Sequence, residues 1–169
     1  MEGNHINIII GRFQPLTNGH LKCLEEVYKE TGLKTIVCII KTDKLDERHP
    51  FDSESLIKIY NSIPSVNKYI EKFIEVNSAN IVPIQQELKE QGYIIDTWVC
   101  GSDRYKPYKK MADKYTEGVE VMEIKRSDDD ISATMAREAL RKNDKKLFLR
   151  ITPIPEKYYN ELWTKILAY

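Results

Sequence analysis

Two kinds of hydrophobic spacing alternate along the chain. Residues 6–10 and 35–40 are short apolar runs rich in β-branched side chains, the pattern of buried strands. Between them Leu21, Leu24, Val27 and Tyr28 recur at helical spacing from near Gly19, and Gly32 follows as a C-cap. Leu56, Ile57 and Tyr60 mark a second helix, opened by Asp52 or Ser53 as N-cap and broken at Pro64. Across 65–80 a strand at 73–76 competes with a helix through Tyr69 and Ile70. Pro83 suits the first turn of a helix running through Leu88 to Gln91, with Gly92 after it. Further on, 97–100 predicts a strand ending at Gly101, 108–115 a helix, and 119–124 an alternating strand after Gly118. Asp128, Asp129 and Asp130 form an acidic loop, Ser132 opens a helix through Ala139, and a proline-punctuated link leads to a last helix at 158–167.

Strands alternating with helices over the whole length predict an α/β fold: an open parallel sheet with helices on both faces. At 169 residues the chain fits one domain, large enough to bury a core without disulfides or metal. We divide it into a main unit at 1–150 and a helical extension at 151–169 packed on that same unit. Internal repeats and low-complexity tracts are absent.

Composition narrows the function. Lys plus Arg and Asp plus Glu both total 26, so the net charge is zero and gives no global pull toward nucleic acid or anionic membranes. A local basic pocket for a small anion remains open. Cys23, Cys38 and Cys100 are far apart and form no CxxC pair, which fits free thiols in a reducing cytoplasm. Residues 1–10 lack the basic-then-apolar pattern of a signal peptide, and no apolar run approaches the roughly 20 residues that span a bilayer.

The chemistry is concentrated where the first strand meets the first helix, in Gly11-Arg12-Phe13-Gln14-Pro15-Leu16-Thr17-Asn18-Gly19-His20. Open α/β sheets bind ligands beyond the carboxyl ends of their strands. Gly11 lets the chain turn out of the strand, Pro15 stiffens the loop, and Gly19 lets backbone approach a phosphate at a helix N-terminus. His20 projects from the first helical turn. A second string, Ile131-Ser132-Ala133-Thr134-Met135-Ala136-Arg137, reads as another anion site at a helix start, with Ser132 as N-cap. Gly101-Ser102-Asp103-Arg104 follows a buried strand and shares the sheet edge with Gly11.

Together the two strings resemble the nucleotidyltransferase superfamily marked by (H/T)xGH and ISxTxxR, over about residues 6–140. The GRFQP opening is most similar to archaeal-type and virus-encoded nicotinamide-mononucleotide adenylyltransferases, whereas Thr17-Asn18-Gly19-His20 looks like the pantetheine-phosphate enzymes. The resemblance implies a Rossmann-like sheet of order 3-2-1-4-5. It implies catalytic roles for His20, Thr17, Arg137 and Arg12. Nucleotide-binding roles fall to Gly11, Phe13, Gln14, Gly19, Gly101, Asp103, Arg104, Ser132 and Thr134, with no protein-held metal. The segment from His49 to Leu56 resembles the superfamily's NPF…ER stretch, but Leu56 stands where an arginine is expected, and Thr17 stands where the nicotinamide-mononucleotide branch has His.

The expected reaction is in-line attack by a phosphorylated acceptor on the α-phosphorus of a nucleoside triphosphate, with Mg²⁺ carried on the triphosphate. ATP with nicotinamide mononucleotide, giving NAD, leads. A cytidylyltransferase or another adenylyltransferase remains open, as does a catalytically silent nucleotide-binding regulator. Oligomers are common in the superfamily, so a homo-oligomer is within expectation. Elsewhere the simpler readings hold: the acidic run as a solvated loop, Trp98 as core, Tyr105, Tyr108 and Tyr115 as packing, and neither His5 nor His49 as a metal ligand.

Overall fold

A computed structural model describes residues 3–64, 66–124 and 129–169, with side chains in the last stretch from 132 onward. In chain order the elements are β1 (Asn4–Gly11), α1 (Asn18–Thr31), β2 (Thr35–Ile40), α2 (Ser53–Asn61), β3 (Ile70–Val76), α3 (Ile81–Glu90), β4 (Tyr93–Cys100), α4 (Ser102–Tyr115), β5 (Glu120–Glu123), α5 (Asp129–Arg141), α6 (Lys145–Ile151) and α7 (Tyr159–Ile166). The five strands are parallel throughout and lie in the order β3-β2-β1-β4-β5. This is the Rossmann-like order that the motifs imply. The chain reverses direction across the sheet at β1, and that is where such sheets open a crevice.

Alternation along β1 feeds two cores. Ile9 faces a cluster with Leu24 and Val27 of α1, Leu56 and Ile59 of α2, Ala139 and Leu140 of α5, and Phe148 of α6. Ile6 and Ile8 face the other side, against Ile84 and Leu88 of α3 and Tyr108 and Ala112 of α4. Helices therefore cover both faces, so the strands read as continuous apolar runs. Trp98 is fully buried and its ring stacks on Tyr108 with centroids 4.0 Å apart. Gly32 ends α1 at φ 72°, a left-handed C-cap whose N–H bonds the Tyr28 carbonyl. None of the three cysteines is in a disulfide. Burial, helped by the Glu87 charge, pushes the Cys38 thiol up and keeps it protonated.

Several boundaries differ from expectation. The strand wins over the competing helix after Ser65: Ile70 pairs with Thr35, and only Val66–Lys68 turns as a 3-10 helix. α4 starts at Ser102, not Tyr108, with Gly101 as its cap residue and Pro107 in its second turn. α5 starts at Asp129, so Ser132 is not its N-cap, and Asp129 and Asp130 belong to its first turn rather than to a loop. Acidic residues suit that position because the helix N-terminus carries partial positive charge. Asp128 lies outside the described residues. α6 is an additional helix that the spacing did not announce.

Beyond Thr152 the chain packs back on the first core through Ile154, Tyr159, Leu162 and Ile166. The Tyr159 hydroxyl donates to Asn143 Oδ1 at 2.9 Å, and Lys165 pairs with Asp52, the N-cap of α2. Among the described residues no helix is long and apolar enough to cross a membrane.

Candidate active site

The loop leaving β1 is held from beneath by one hydroxyl. Tyr60 of α2, fully buried, accepts a hydrogen bond from the Leu16 N–H at 2.8 Å and donates to the Phe13 carbonyl at 2.7 Å. Burial pushes the Tyr60 phenol up, against a smaller opposite effect of the Leu16 N–H, so it stays a neutral donor. Gln14 is buried too. Its carboxamide donates to the Phe51 carbonyl at 2.8 Å and accepts the Phe51 N–H at 3.1 Å, a two-bond clasp. Phe13 sits at φ 49°, a left-handed conformation that costs a bulky residue energy unless its surroundings hold it. Its ring packs edge-on against His20, with centroids 5.1 Å apart.

The start of α1 is a capping box. Thr17 is the N-cap, and its Oγ1 receives the His20 N–H while its own N–H donates to His20 Nδ1 at 2.9 Å. Because Nδ1 accepts, the neutral ring carries its proton on Nε2. The histidine is thereby aimed and its tautomer set by its own helix terminus.

These residues border a cavity of about 500 Å³ across the carboxyl ends of β1, β2 and β4. Gly11, Arg12, Phe13, Gln14 and His20 line it from the first loop; Asp103 and Arg104 from the start of α4; Thr134 and Arg137 from α5. Arg137 donates to the Gln14 carbonyl at 2.7 Å, so α5 is fastened to the first loop. Thr17, Gly19, Gly101 and Ser132 are not among the lining residues. Thr17 is fully buried behind His20, Gly101 caps α4 by backbone alone, and Ser132 falls inside α5. The cavity also has walls the motifs did not name, Ile40, Arg48, Ala79 and Tyr108, and His49 at the head of the NPF…ER-like segment joins them. Ile40 ends β2 and Ala79 follows β3, so the rule that loops after parallel strands line the crevice was the available signal. Leu56 is fully buried in the core and contributes nothing to the cavity.

The electrostatics are one-sided. Among the described residues, four arginines and two histidines line the cavity, with Asp103 as their one carboxylate. Partial burial pulls the His49 imidazole below its ordinary value; Arg12 and Arg48 add to this and the Asp46 carboxylate opposes it. Such a lining suits a ligand with several phosphates. Among the described residues no group of three His, Cys, Asp or Glu is placed to hold a metal.

The model of the cytidylyltransferase-like family matches residues 8–154, from β1 through the links after α6. The chain belongs to the cytidylyltransferase-like family. It carries a nucleotidyltransferase-superfamily domain, and several solved structures share its fold. TmcAL of Thermotoga maritima, bound with alpha-thio ATP, is 14% identical at a TM-score of 0.63, covering 99% of this chain and 56% of that one. A bifunctional NMN adenylyltransferase/ADP ribose pyrophosphatase from Francisella tularensis is 17% identical at 0.62, covering 98% and 50%; it has also been solved with AMP and a Mn ion. Nicotinic acid mononucleotide adenylyltransferase of Plasmodium falciparum, complexed with APC, is 19% identical at 0.56, covering 97% and 99%. This cytidylyltransferase-like chain spans about half the length of the first two. A comparison with curated protein sequences gives no match.

Proposed function

We propose that this protein transfers AMP from ATP to nicotinamide mononucleotide, releasing pyrophosphate and forming NAD. The observation that carries the reading is His20, its Nδ1 engaged by the Thr17 N–H and its ring lining the same basic cavity as Arg137. An oxygen of the acceptor phosphate attacks the α-phosphorus in line, the new P–O bond forms, and the bond to the β-phosphate oxygen breaks. A phosphate is a competent nucleophile at neutral pH, so no general base is required. The protein's work is positioning and charge stabilisation. His20 Nε2–H stabilises the α-phosphate oxygens as charge builds, with Thr17 acting behind it to fix the ring. Arg137, helped by Thr134, holds the departing pyrophosphate. Gly11, Phe13 and Gln14 shape the floor, and Asp103 and Arg104 border the nucleoside. Magnesium carried on the triphosphate neutralises part of its charge. Residues 1–150 form the catalytic unit, and 151–169 an extension on its core.

The NMN and nicotinic acid mononucleotide adenylyltransferases among the fold neighbours support this choice of acceptor. The family's cytidylyltransferase-like character supports a second reading, in which CTP is the donor. A pyrophosphate-release screen crossing ATP and CTP with phosphorylated acceptors tests both. Turnover with ATP and nicotinamide mononucleotide is expected. Turnover only with CTP selects the second reading, and no pyrophosphate with any acceptor overturns both.

A further inference from the structure

We propose that Lys165 is a positioning residue for the first loop of the cavity, acting through Asp52 and the clasp between Phe51 and Gln14. The inference rests on the nucleotidyl-transfer reading of the cavity and gives the C-terminal helix a part in it. The arm between β2 and α2 ends at Phe51, where the chain is held from three directions. Gln14 of the first loop clasps both the N–H and the carbonyl of Phe51. Ser53, buried, donates its hydroxyl to Glu75 of β3 at 2.6 Å. Lys165 of α7 donates to Asp52 Oδ1 at 2.8 Å and to the Ser55 hydroxyl at 2.9 Å. That hydroxyl donates on to Asp52 Oδ2 at 2.7 Å, which closes a ring of three side chains around the start of α2.

An ion pair this exposed adds little to stability, so its place in the fold matters more than its strength. The Phe51 carbonyl lies in the same rigid peptide plane as the Asp52 N–H. A shift of Asp52 therefore tilts the carbonyl to which the Gln14 carboxamide donates. Phe51 and Gln14 are both buried, so water cannot replace that bond. Gln14 passes the displacement on, because its own carbonyl accepts Arg137 Nη1 at 2.7 Å and both residues line the cavity. From Lys165 through Asp52, Phe51 and Gln14 to Arg137, every link is a covalent bond or a hydrogen bond. The path ends on the guanidinium assigned above to the departing pyrophosphate, so its effect falls on the triphosphate and not on the acceptor.

Lys165→Met keeps the aliphatic stem and removes the donors. Pyrophosphate release by the full chain is measured with the substrates that the screen selects, at a temperature where the variant is fully folded. In Lys165→Met, kcat/KM for the triphosphate should fall about three- to tenfold, with KM for the acceptor unchanged. Lys165→Arg, which keeps charge and donors, should recover most of that loss. Lys145→Met is the control: it releases another fastening of the C-terminal segment, the 3.1 Å pair with Glu156, and should leave the kinetics unchanged. Amide hydrogen exchange reads the same link without turnover. The Phe51 N–H should exchange about tenfold faster in Lys165→Met, beyond any acceleration shared by Ile36 and Val37 of buried strand β2, which report global unfolding. Unchanged kinetics or unchanged exchange at Phe51 overturns the proposal, as does an equal loss in Lys145→Met. If the wild type releases no pyrophosphate with any acceptor, the transfer reading fails and exchange at Phe51 decides the link alone.

Discussion

The backbone N–H of Thr17 donates to Nδ1 of His20 at 2.9 Å, and this single bond gives the histidine two jobs. It closes the cap of α1 and leaves Nε2 as the proton-bearing nitrogen of the neutral ring. The two jobs come apart in two variants. His20→Ala should lose both, with turnover falling by ~10²-fold or more. Its stability should drop by about 1 kcal/mol, or a melting temperature lower by roughly 2–4 °C. In His20→Asn the side-chain oxygen can accept the Thr17 N–H, so the melting temperature should recover while turnover does not. Pyrophosphate release and thermal melts check this, and wild-type turnover in either variant would remove His20 from the mechanism.

Gly11 owes its place to a neighbour. A Cβ built on it would lie 3.1 Å from Cε2 and 3.3 Å from Cζ of Phe13, closer than such contacts normally come. The Phe13 ring must then shift, and that ring packs against His20. Gly11→Ala should therefore lower kcat about tenfold or more through misplacement of the histidine, with a smaller effect on folding. A stopped assay for kcat and KM, beside a denaturant melt, makes the comparison. A variant that loses stability but keeps kcat would mean that the ring's position is not coupled to catalysis.

Tyr60 carries the loop on one oxygen. In Tyr60→Phe the Leu16 N–H and the Phe13 carbonyl both stay buried and lose their partner. The expected cost is about 3 kcal/mol, a fall in melting temperature of roughly 6–12 °C. The loss in kcat should outlast a lowered assay temperature at which the variant is fully folded. Full activity under those conditions would show that the Gln14–Phe51 clasp and Arg137 hold the loop without the hydroxyl.

What the sequence made legible follows from how local each signal is. The first strand, the loop from Gly11 to His20 and the start of α1 are contiguous, so the punctuation by Gly11, Thr17 and Gly19 stands where the chain turns. The start of α5 was less legible, because Ser132 looks like a cap while the acidic residues ahead of it suit a first helical turn as well as a loop. α4 starts at Ser102 and not at the expected Tyr108, and it accommodates Pro107 in its second turn. Arg48 was out of reach, and His49 was named only as the head of the NPF…ER-like segment, without a place in the cavity. Their place in the cavity depends on Gln14 and Arg141, which hold the arm from 37 and 94 positions away along the chain. No local pattern encodes that.

Asp52 and Lys165 join the N-cap of α2 to the last helix. Partial burial pushes the Asp52 carboxyl up. Hydrogen bonds from Lys165 Nζ at 2.8 Å, from the Ser55 hydroxyl at 2.7 Å and from the Ser55 N–H at 3.0 Å outweigh it, with the Lys165 charge, and bring it to about 2. The unfolded chain holds its Asp carboxyls near the ordinary value of about 3.9. The folded state thus keeps this carboxylate ionised to lower pH than the unfolded state does. Its contribution is complete above about pH 4 and disappears as the pH falls toward 2. Because the pair is partly exposed, solvent screening reduces that contribution to about 1 kcal/mol. In Lys165→Met the deficit against wild type should be about 1 kcal/mol at pH 7 and should close between pH 4 and pH 2. Urea unfolding at a series of pH values measures it directly. A deficit that stays the same at pH 2 would mean that Lys165 stabilises the helix through its packing, and that its charge on Asp52 contributes nothing.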